Sequence, residues 1–441
     1  MYIADSPFSS NDTVVENLWC FIPVGGYAKR LRPLTQDVSK PCLRFLNRPL
    51  IEFDLAQLAR QGVRNFIFGE AGFTNYTNLF DQYGEGVGFS AKYGIHPRVH
   101  IKHQPNLDDV GSADSYRLNV DYYDVKAPVL VVQGDSLFNI DLSDLVRRHE
   151  EKKAVITIGL AKVDNVEEFG IVQLESDLRI KRFVEKPSRD NAPSSLANAG
   201  IYLLSPEVRR IVESEEVKRI MVERKRLDFG YDLIPYMIEK GLPVYGYELK
   251  VWYDVGTPER YLKAMFDVLH GKLDIDIAEQ RILPDRNVWI QGYSEESLRR
   301  KQEIIRKYFE HKLTIDGAAL IGRHTIIGDY SKIFDSNIDN FCILGQNVNV
   351  ERSAIMDAGR IGDYTQVSDS IIGRKVLIES TKENPARIDS HSVIGNAARI
   401  GKGCKLTETR VGSGLAIPAN SAYTNKTIQS YEDVVQLADP A

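Results

Sequence analysis

Leu18 to Pro41 reads LWCFIPVGGYAKRLRPLTQDVSKP. The apolar run Leu18 to Val24 leads straight into Gly25 and Gly26, the pattern of a buried parallel strand that ends in a tight loop. Glycine tolerates positive φ and a close ligand, so consecutive backbone N–H groups can point at phosphate oxygens. Lys29, Arg30, Arg32 and Lys40 add four positive charges within a twelve-residue span. They are interleaved with Leu31, Pro33, Leu34 and Pro41, which favours a structured cradle for a polyanion over a solvated basic loop.

Working outward, Pro49 to Gln61 spaces Leu50, Phe53, Leu55 and Leu58 as an amphipathic helix closed by Gly62, and Asn65 to Gly69 is a second apolar strand. Strand, loop, helix and strand make a βαβ unit, whose ligands bind at the carboxyl ends of the strands. His96, His100 and His103 have a spacing that would line one helix face, but Pro97 and the β-branched residues around them favour a strand, where the three do not share a face. Ala127 to Gln133 is a central strand ending in Gly134-Asp135. A carboxylate there lies at the active edge of the sheet, and one or two carboxylates plus phosphate oxygens are what Mg²⁺ takes. From Ala154 the pattern turns antiparallel: AVITIGLAK, GIVQLE, RIKRFVEKP and NAGIYLLS.

The opening stretch resembles the GGxGTRLxPLT…KP signature of the sugar-1-phosphate nucleotidyltransferases. Gly25, Gly26, Arg30, Leu31, Pro33, Leu34, Thr35, Lys40 and Pro41 match it, while Ala28 replaces the usual third glycine and Lys29 the usual threonine. HQPNLDDVGSADS, residues 103 to 115, resembles the second signature and implies that Gln104 and Gly111 read the nucleobase. VVQGDSLFNIDL implies that Asp135 holds the metal, and VWYDVGTP implies Asp254 as the second metal ligand. Gly170, the Glu185-Lys186-Pro187 tripeptide and Asn198-Ala199-Gly200 resemble the sugar-phosphate site. By that resemblance Glu185 and Asn198 hold sugar hydroxyls, Gly170 allows close approach and Lys186 holds the phosphate. Asp232 is read as structural.

After Pro284, Asn287 and Gly292 break the pattern, residues 295 to 312 read as a connecting helix, acidic at its start and basic at its end. Beyond Leu313 the period becomes six. Ile315, Ile321, Ile327 and Ile333 recur at that interval, then Ile338, Leu344, Val350 and Met356, then Ile361 and Val367, Ile372 and Ile378, and Ile388, Ile394, Ile400 and Leu406. Six-residue recurrence means a β-helical solenoid with an inward aliphatic ladder, and it resembles the left-handed parallel β-helix found behind many nucleotidyltransferase domains. STKENPA at 380 to 386 fits a protruding loop. The expected organisation is a polar tail over 1–17, a doubly wound, mostly parallel α/β nucleotidyltransferase domain over 18–270, a linker with the connecting helix over 271–312, a left-handed β-helix over 313–422 and a tail over 423–441.

Composition sets outer limits. A chain of 441 residues is long for one core, and 43% hydrophobic with 27% charged residues describes a globular protein. A net charge of −5 argues against a general nucleic-acid binder. Cys20, Cys42, Cys342 and Cys404 are scattered, without CxxC spacing, which fits reduced thiols and a cytoplasmic location. The first seventeen residues lack the apolar segment of a signal peptide, and no run approaches the roughly 20 apolar residues of a membrane span.

The resemblance therefore implies an enzyme that makes an NDP-sugar and pyrophosphate from an NTP and a hexose-1-phosphate, with Mg²⁺ as cofactor and Arg30, Lys40 and Asp135 in catalytic roles. VGGY and FLNRP resemble mannose-1-phosphate guanylyltransferases, whereas GSAD and DFGYDLIP resemble glucose-1-phosphate adenylyltransferases, so base and sugar stay open. A homo-oligomer (dimer, trimer or tetramer) assembled through the β-helix is expected, with no nucleic-acid or membrane partner. Two alternatives remain: a regulatory or scaffold paralogue with weak catalysis, suggested by Ala28 and Lys29, and an added acetyltransferase in the solenoid, where His324 and His391 are the available bases.

Overall fold

The computed structural model describes residues 15–25, 28–106, 108–273, 275, 277, 281–282 and 286–438. They form two compact units. One gathers the described residues up to Gly25 with Ile51–Trp252; the other gathers the described residues from Ala28 to Leu50 with those from Tyr253 onward.

The first unit is a mixed sheet with helices. Its strands are β1 (Trp19–Val24), β2 (Asn65–Ala71), β3 (His100–Asn106), β4 (Val129–Val132), β5 (Ile156–Lys162), β6 (Gly170–Leu174), β7 (Ile180–Glu185), β8 (Leu196–Leu204) and β9 (Val244–Glu248). They run in the order β7-β6-β8-β4-β1-β2-β3, and β5 joins β8 to β9. The stretch β4-β1-β2-β3 is parallel, with Trp19 opposite both Asn65 and Val129, and Gly69 opposite Gln104. β8 runs antiparallel to β4 and β5. The run of Phe21, Ile22 and Val24 is buried because a parallel strand covered on both faces excludes water from either side. Helix α1 (Ile51–Arg60) buries Ile51, Phe53, Leu55 and Leu58, close to the expected stripe. Phe21, Ile67, Tyr116, Val131, Ile158, Tyr202 and Phe229 share one core cluster, and each such side chain contributes ~1.5–3 kcal/mol by leaving water.

The second unit is the expected left-handed parallel β-helix with its flanking segments. Every aliphatic residue of the six-residue ladder, from Ile315 to Leu406, is buried. Successive coils pair in parallel, Ile333 with Val350 and Val350 with Val367, a step of seventeen residues. Val367 pairs next with Ile388, so STKENPA is accommodated as extra length in one coil. Val288–Ile290 lies inside the expected linker and pairs in parallel with Ala319, Leu320 and Ile321, starting the solenoid sheet early. The last pairing, of Arg410–Val411 with Thr427–Ile428, carries it past residue 422. Helix α2 (Glu295–Phe309) begins at Ser294, whose Oγ accepts from Ser297 N at 3.3 Å.

Residues 28–50 are held within this second unit by buried apolar side chains, Phe45 packing edge-on against Tyr261 with ring centroids 5.1 Å apart, and by polar contacts. Arg44 grips buried Asp339 with two hydrogen bonds, Nε to Oδ2 at 2.8 Å and Nη2 to Oδ1 at 2.6 Å. Asn337 Nδ2 donates to Asn47 Oδ1 at 2.7 Å, and Asn396 Nδ2 donates to Asp37 Oδ1 at 2.8 Å.

Candidate active site

In the first unit the parallel order delivers the carboxyl ends of β1, β2 and β4 to one edge, where β1 runs into Gly25, β2 ends at Ala71 and β4 leads to Gly134-Asp135. A Cβ placed on Gly25 would lie 3.5 Å from the Ala71 Cβ. Gly26 lies outside the described residues. A Cβ on Gly134 would meet Ile22 and Ile51 side chains at 3.1 Å, so this glycine lets β4 and the loop carrying Asp135 pack onto β1 and α1. Asp54 of α1 is fully buried beside this loop. Burial raises its carboxyl well above the usual carboxylate range, and the negative charge of Asp135 raises it further. The sequence did carry a signal for Asp54, an acid inside an otherwise apolar helix face, but no motif contains it.

Gln104 lies on β3 next to His103, whose Nδ1 is 2.8 Å from Glu70 Oε1 and whose Nε2 is 2.8 Å from Gly84 O. His103 is thus tied into the fold, and no cluster of three or more His, Cys, Asp or Glu suited to a metal occurs among the described residues. Gly111 has φ 141°, and a Cβ there would come within 2.6 Å of Leu227 O. Its glycine therefore makes room for the 227–228 backbone, where Ala113 N and Asp114 N donate to Leu227 O. Asp228 accepts from Ser112 N and Oγ, both at 3.1 Å, bringing a carboxylate to the residues read as the base site.

The residues read as sugar-binding also converge. A Cβ on Gly170 would lie 2.6 Å from Glu185 Oε2, and one on Gly230 2.8 Å from it, so two glycines vacate the space that Glu185 occupies. Burial pushes the Glu185 carboxyl up. Lys186 follows in a left-handed conformation, φ 46°, with its N–H donating to Phe169 O at 3.0 Å. Asn198 Nδ2 donates to Tyr202 OH at 2.8 Å and Asn198 Oδ1 accepts from Gly200 N at 3.0 Å, bracing the point where the β8–β5 register shifts. Asp232 is fully buried and accepts from Asp228 N, Arg224 and Arg226, the structural role read from the sequence.

In the second unit Asp254 is surrounded by cations. Lys40 Nζ lies 3.8 Å from Asp254 Oδ1, and Arg260 Nη1 donates to Asp254 Oδ2. A Cβ on Gly256 would be 2.8 Å from both Asp254 oxygens and 3.0 Å from Arg30 Nη2, so Arg30 also reaches this group. Arg260 was not anticipated. It lies three residues beyond Thr257, the N-cap of α3 (Pro258–Leu269), a local signal for a helix start rather than for chemistry. Ala28 adopts φ 40°, ψ 44°, the left-handed region that glycine favours, and its carbonyl accepts from Thr35 Oγ1 at 2.9 Å. Lys29 and Arg32 line a cavity of about 380 Å³ with Gln36, Arg410 and Gln429. The loop's cations are therefore divided, Arg30 and Lys40 on Asp254, Lys29 and Arg32 on the solenoid side. His324 stacks on Phe341 with ring centroids 4.9 Å apart.

A carboxylate among cations, as at Asp254, and a carboxylate beyond the end of a parallel strand, as at Asp135, are each chemistry for a metal-bridged polyphosphate. The model of the nucleotidyl transferase family matches residues 21–271. The chain belongs to that family. A second model, the GMPPB C-terminal domain, matches residues 309–428, so the nucleotidyl transferase region is followed by a matched solenoid. The chain is 26% identical over 365 residues to a UTP–glucose-1-phosphate uridylyltransferase of Synechocystis, covering 82% of this chain and 88% of that protein. It is 26% identical over 416 residues to a glucose-1-phosphate adenylyltransferase of Hydrogenovibrio crunogenus, covering 88% of this chain and 89% of that protein. Among the described residues no helix is long and apolar enough to cross a membrane.

Proposed function

We propose that this nucleotidyltransferase joins an NTP to a hexose-1-phosphate, glucose-1-phosphate or mannose-1-phosphate, releasing pyrophosphate and an NDP-sugar. The observation that carries the reading is the grouping of Glu185 between Gly170 and Gly230 with Lys186 beside it, a carboxylate for sugar hydroxyls and an ammonium for phosphate, in a chain of this family. Gly25, Gly26 and Arg30 bind the triphosphate, and Gln104 and Gly111 face the base. Lys40 and Arg30 stabilise charge on the leaving pyrophosphate. Lys186 orients the sugar phosphate oxygen for in-line attack on the α-phosphorus, and Asn198 with Glu185 and Gly170 fixes the sugar.

Mg²⁺ is the cofactor of this reading: Asp135 and Asp254 each carry the hard oxygen donors it takes, and this ion needs only one or two carboxylates beside phosphate oxygens. Bound, it would neutralise phosphate charge. Two compartment-level readings accompany the reaction: a cytoplasmic setting and a homo-oligomer assembled through the β-helix. Incubation with each NTP and each hexose-1-phosphate, followed by mass spectrometry for the NDP-sugar, tests the reading. A product mass with at least one pair supports it, and its absence from all pairs contradicts it.

A further inference from the structure

Phe229–Leu233 forms a π-helical turn, a wide turn that often marks functional sites. Phe229 and Leu233 are buried, whereas Tyr231 between them is 39% exposed. The turn is closed from beneath by Asp232, which accepts from Asp228 N at 2.8 Å, Arg224 Nη1 at 2.8 Å and Arg226 Nε at 3.1 Å. Arg226 in turn lies with its Cζ 4.4 Å from the Tyr231 ring centroid. The ring is thereby fixed by a guanidinium that two carboxylates hold, Asp232 at 3.1 Å and Asp228 at 3.5 Å.

The other cation on that ring is Lys186, whose Nζ is 5.6 Å from the centroid. The turn meets the Glu185-Lys186 pair residue for residue. Gly230 leaves the room that Glu185 Oε2 fills, and its neighbour Tyr231 reaches the ammonium of the next residue, Lys186. The Lys186 side chain is 51% exposed, and its carboxylate contact is Glu185 at 3.9 Å. A four-carbon stem with so few restraints samples many rotamers, and an aromatic face narrows them without neutralising the charge. A carboxylate in the same place would compete with an incoming phosphate; a ring does not.

We propose that Tyr231 is a positioning residue of the sugar-phosphate subsite, holding the Lys186 ammonium where it meets the phosphate of the hexose-1-phosphate. This rests on the reading of Lys186 given above. The test is steady-state kinetics on the full chain with the fastest-reacting hexose-1-phosphate, comparing Tyr231→Phe, Tyr231→Leu, Lys186→Ala and the Tyr231→Leu/Lys186→Ala double variant. Tyr231→Leu is expected to raise KM for the sugar phosphate about three- to tenfold while KM for the NTP stays within about twofold. Tyr231→Phe, which keeps the ring, stays near wild type, and Tyr231→Leu adds nothing to Lys186→Ala. Equal shifts in both KM values, or an undiminished effect of Tyr231→Leu in the Lys186→Ala background, would assign the ring a merely structural role and overturn the proposal. If Lys186→Ala alone left the sugar-phosphate KM unchanged, or if no hexose-1-phosphate reacted, the underlying reading of Lys186 would fall and the proposal with it.

Discussion

Lys40 Nζ lies 3.8 Å from Asp254 Oδ1, and Arg260 donates to the other oxygen of the same carboxylate. Asp254 is thereby aimed by cations from two segments far apart in sequence. Replacing it with asparagine keeps the shape and removes the charge. Asp254→Asn is expected to lower kcat by about 10²–10³-fold and to raise the Mg²⁺ concentration needed for half-maximal rate. Retention of both values would contradict the metal role proposed for Asp254.

Ala28 lies at φ 40°, where an L-residue carries roughly 1–2 kcal/mol of strain relative to glycine. Glycine's larger unfolded-state entropy offsets about 0.5–1 kcal/mol of the relief. Ala28→Gly is therefore expected to leave Tm unchanged or slightly higher and to lower KM for the NTP. Lys29 lines the cavity with Arg32 and Arg410, so Lys29→Thr should leave kcat/KM within about threefold of wild type. A large loss from Lys29→Thr would place that ammonium on the triphosphate.

His149 is buried, with Nδ1 2.8 Å from Thr157 Oγ1 and Nε2 2.8 Å from Ser205 Oγ, and burial lowers its pKa to about 4. The folded state thus disfavours the imidazolium. Its contribution is fully present above the unfolded value near 6.5 and is lost as pH falls towards 4, about 3 kcal/mol in all. Denaturant titrations at pH 7 and pH 4.5 should show a larger acid loss for wild type than for His149→Asn. Equal losses would contradict this.

Arg44 and buried Asp339 form a two-bonded ion pair, yet burial still holds the Asp339 carboxyl above its ordinary value. Arg44→Met would strand that carboxylate and should cost ~3–5 kcal/mol, whereas Arg44→Met with Asp339→Leu should recover most of it. The denaturation midpoints of the single and double variants measure both. A harmless Arg44→Met would show that the pair does not anchor residues 28–50.

The solenoid was legible because its signal is local and repeated. Ile333, Val350 and Val367 each announce one inward position, and a seventeen-residue coil keeps them stacked. Candidate site residues could be proposed from sequence only where they fall in ordered motifs, as with Lys40, Asp135, Glu185 and Lys186. Arg260, Asp54 and Tyr231 were not, because their roles depend on tertiary neighbours: Arg260 on Asp254, Asp54 on Asp135, Tyr231 on Lys186. A Cβ at Gly170 would meet Phe183 and Glu185, and one at Gly111 the Leu227 carbonyl, so each glycine also serves close packing that no motif announces.

The most direct test is pyrophosphate release over a grid of five nucleoside triphosphates and several hexose-1-phosphates with Mg²⁺, run beside Asp135→Asn. The account predicts release for at least one pair and a loss of about 10²-fold or more in the variant. No release from any pair, or a full rate in Asp135→Asn, would contradict it.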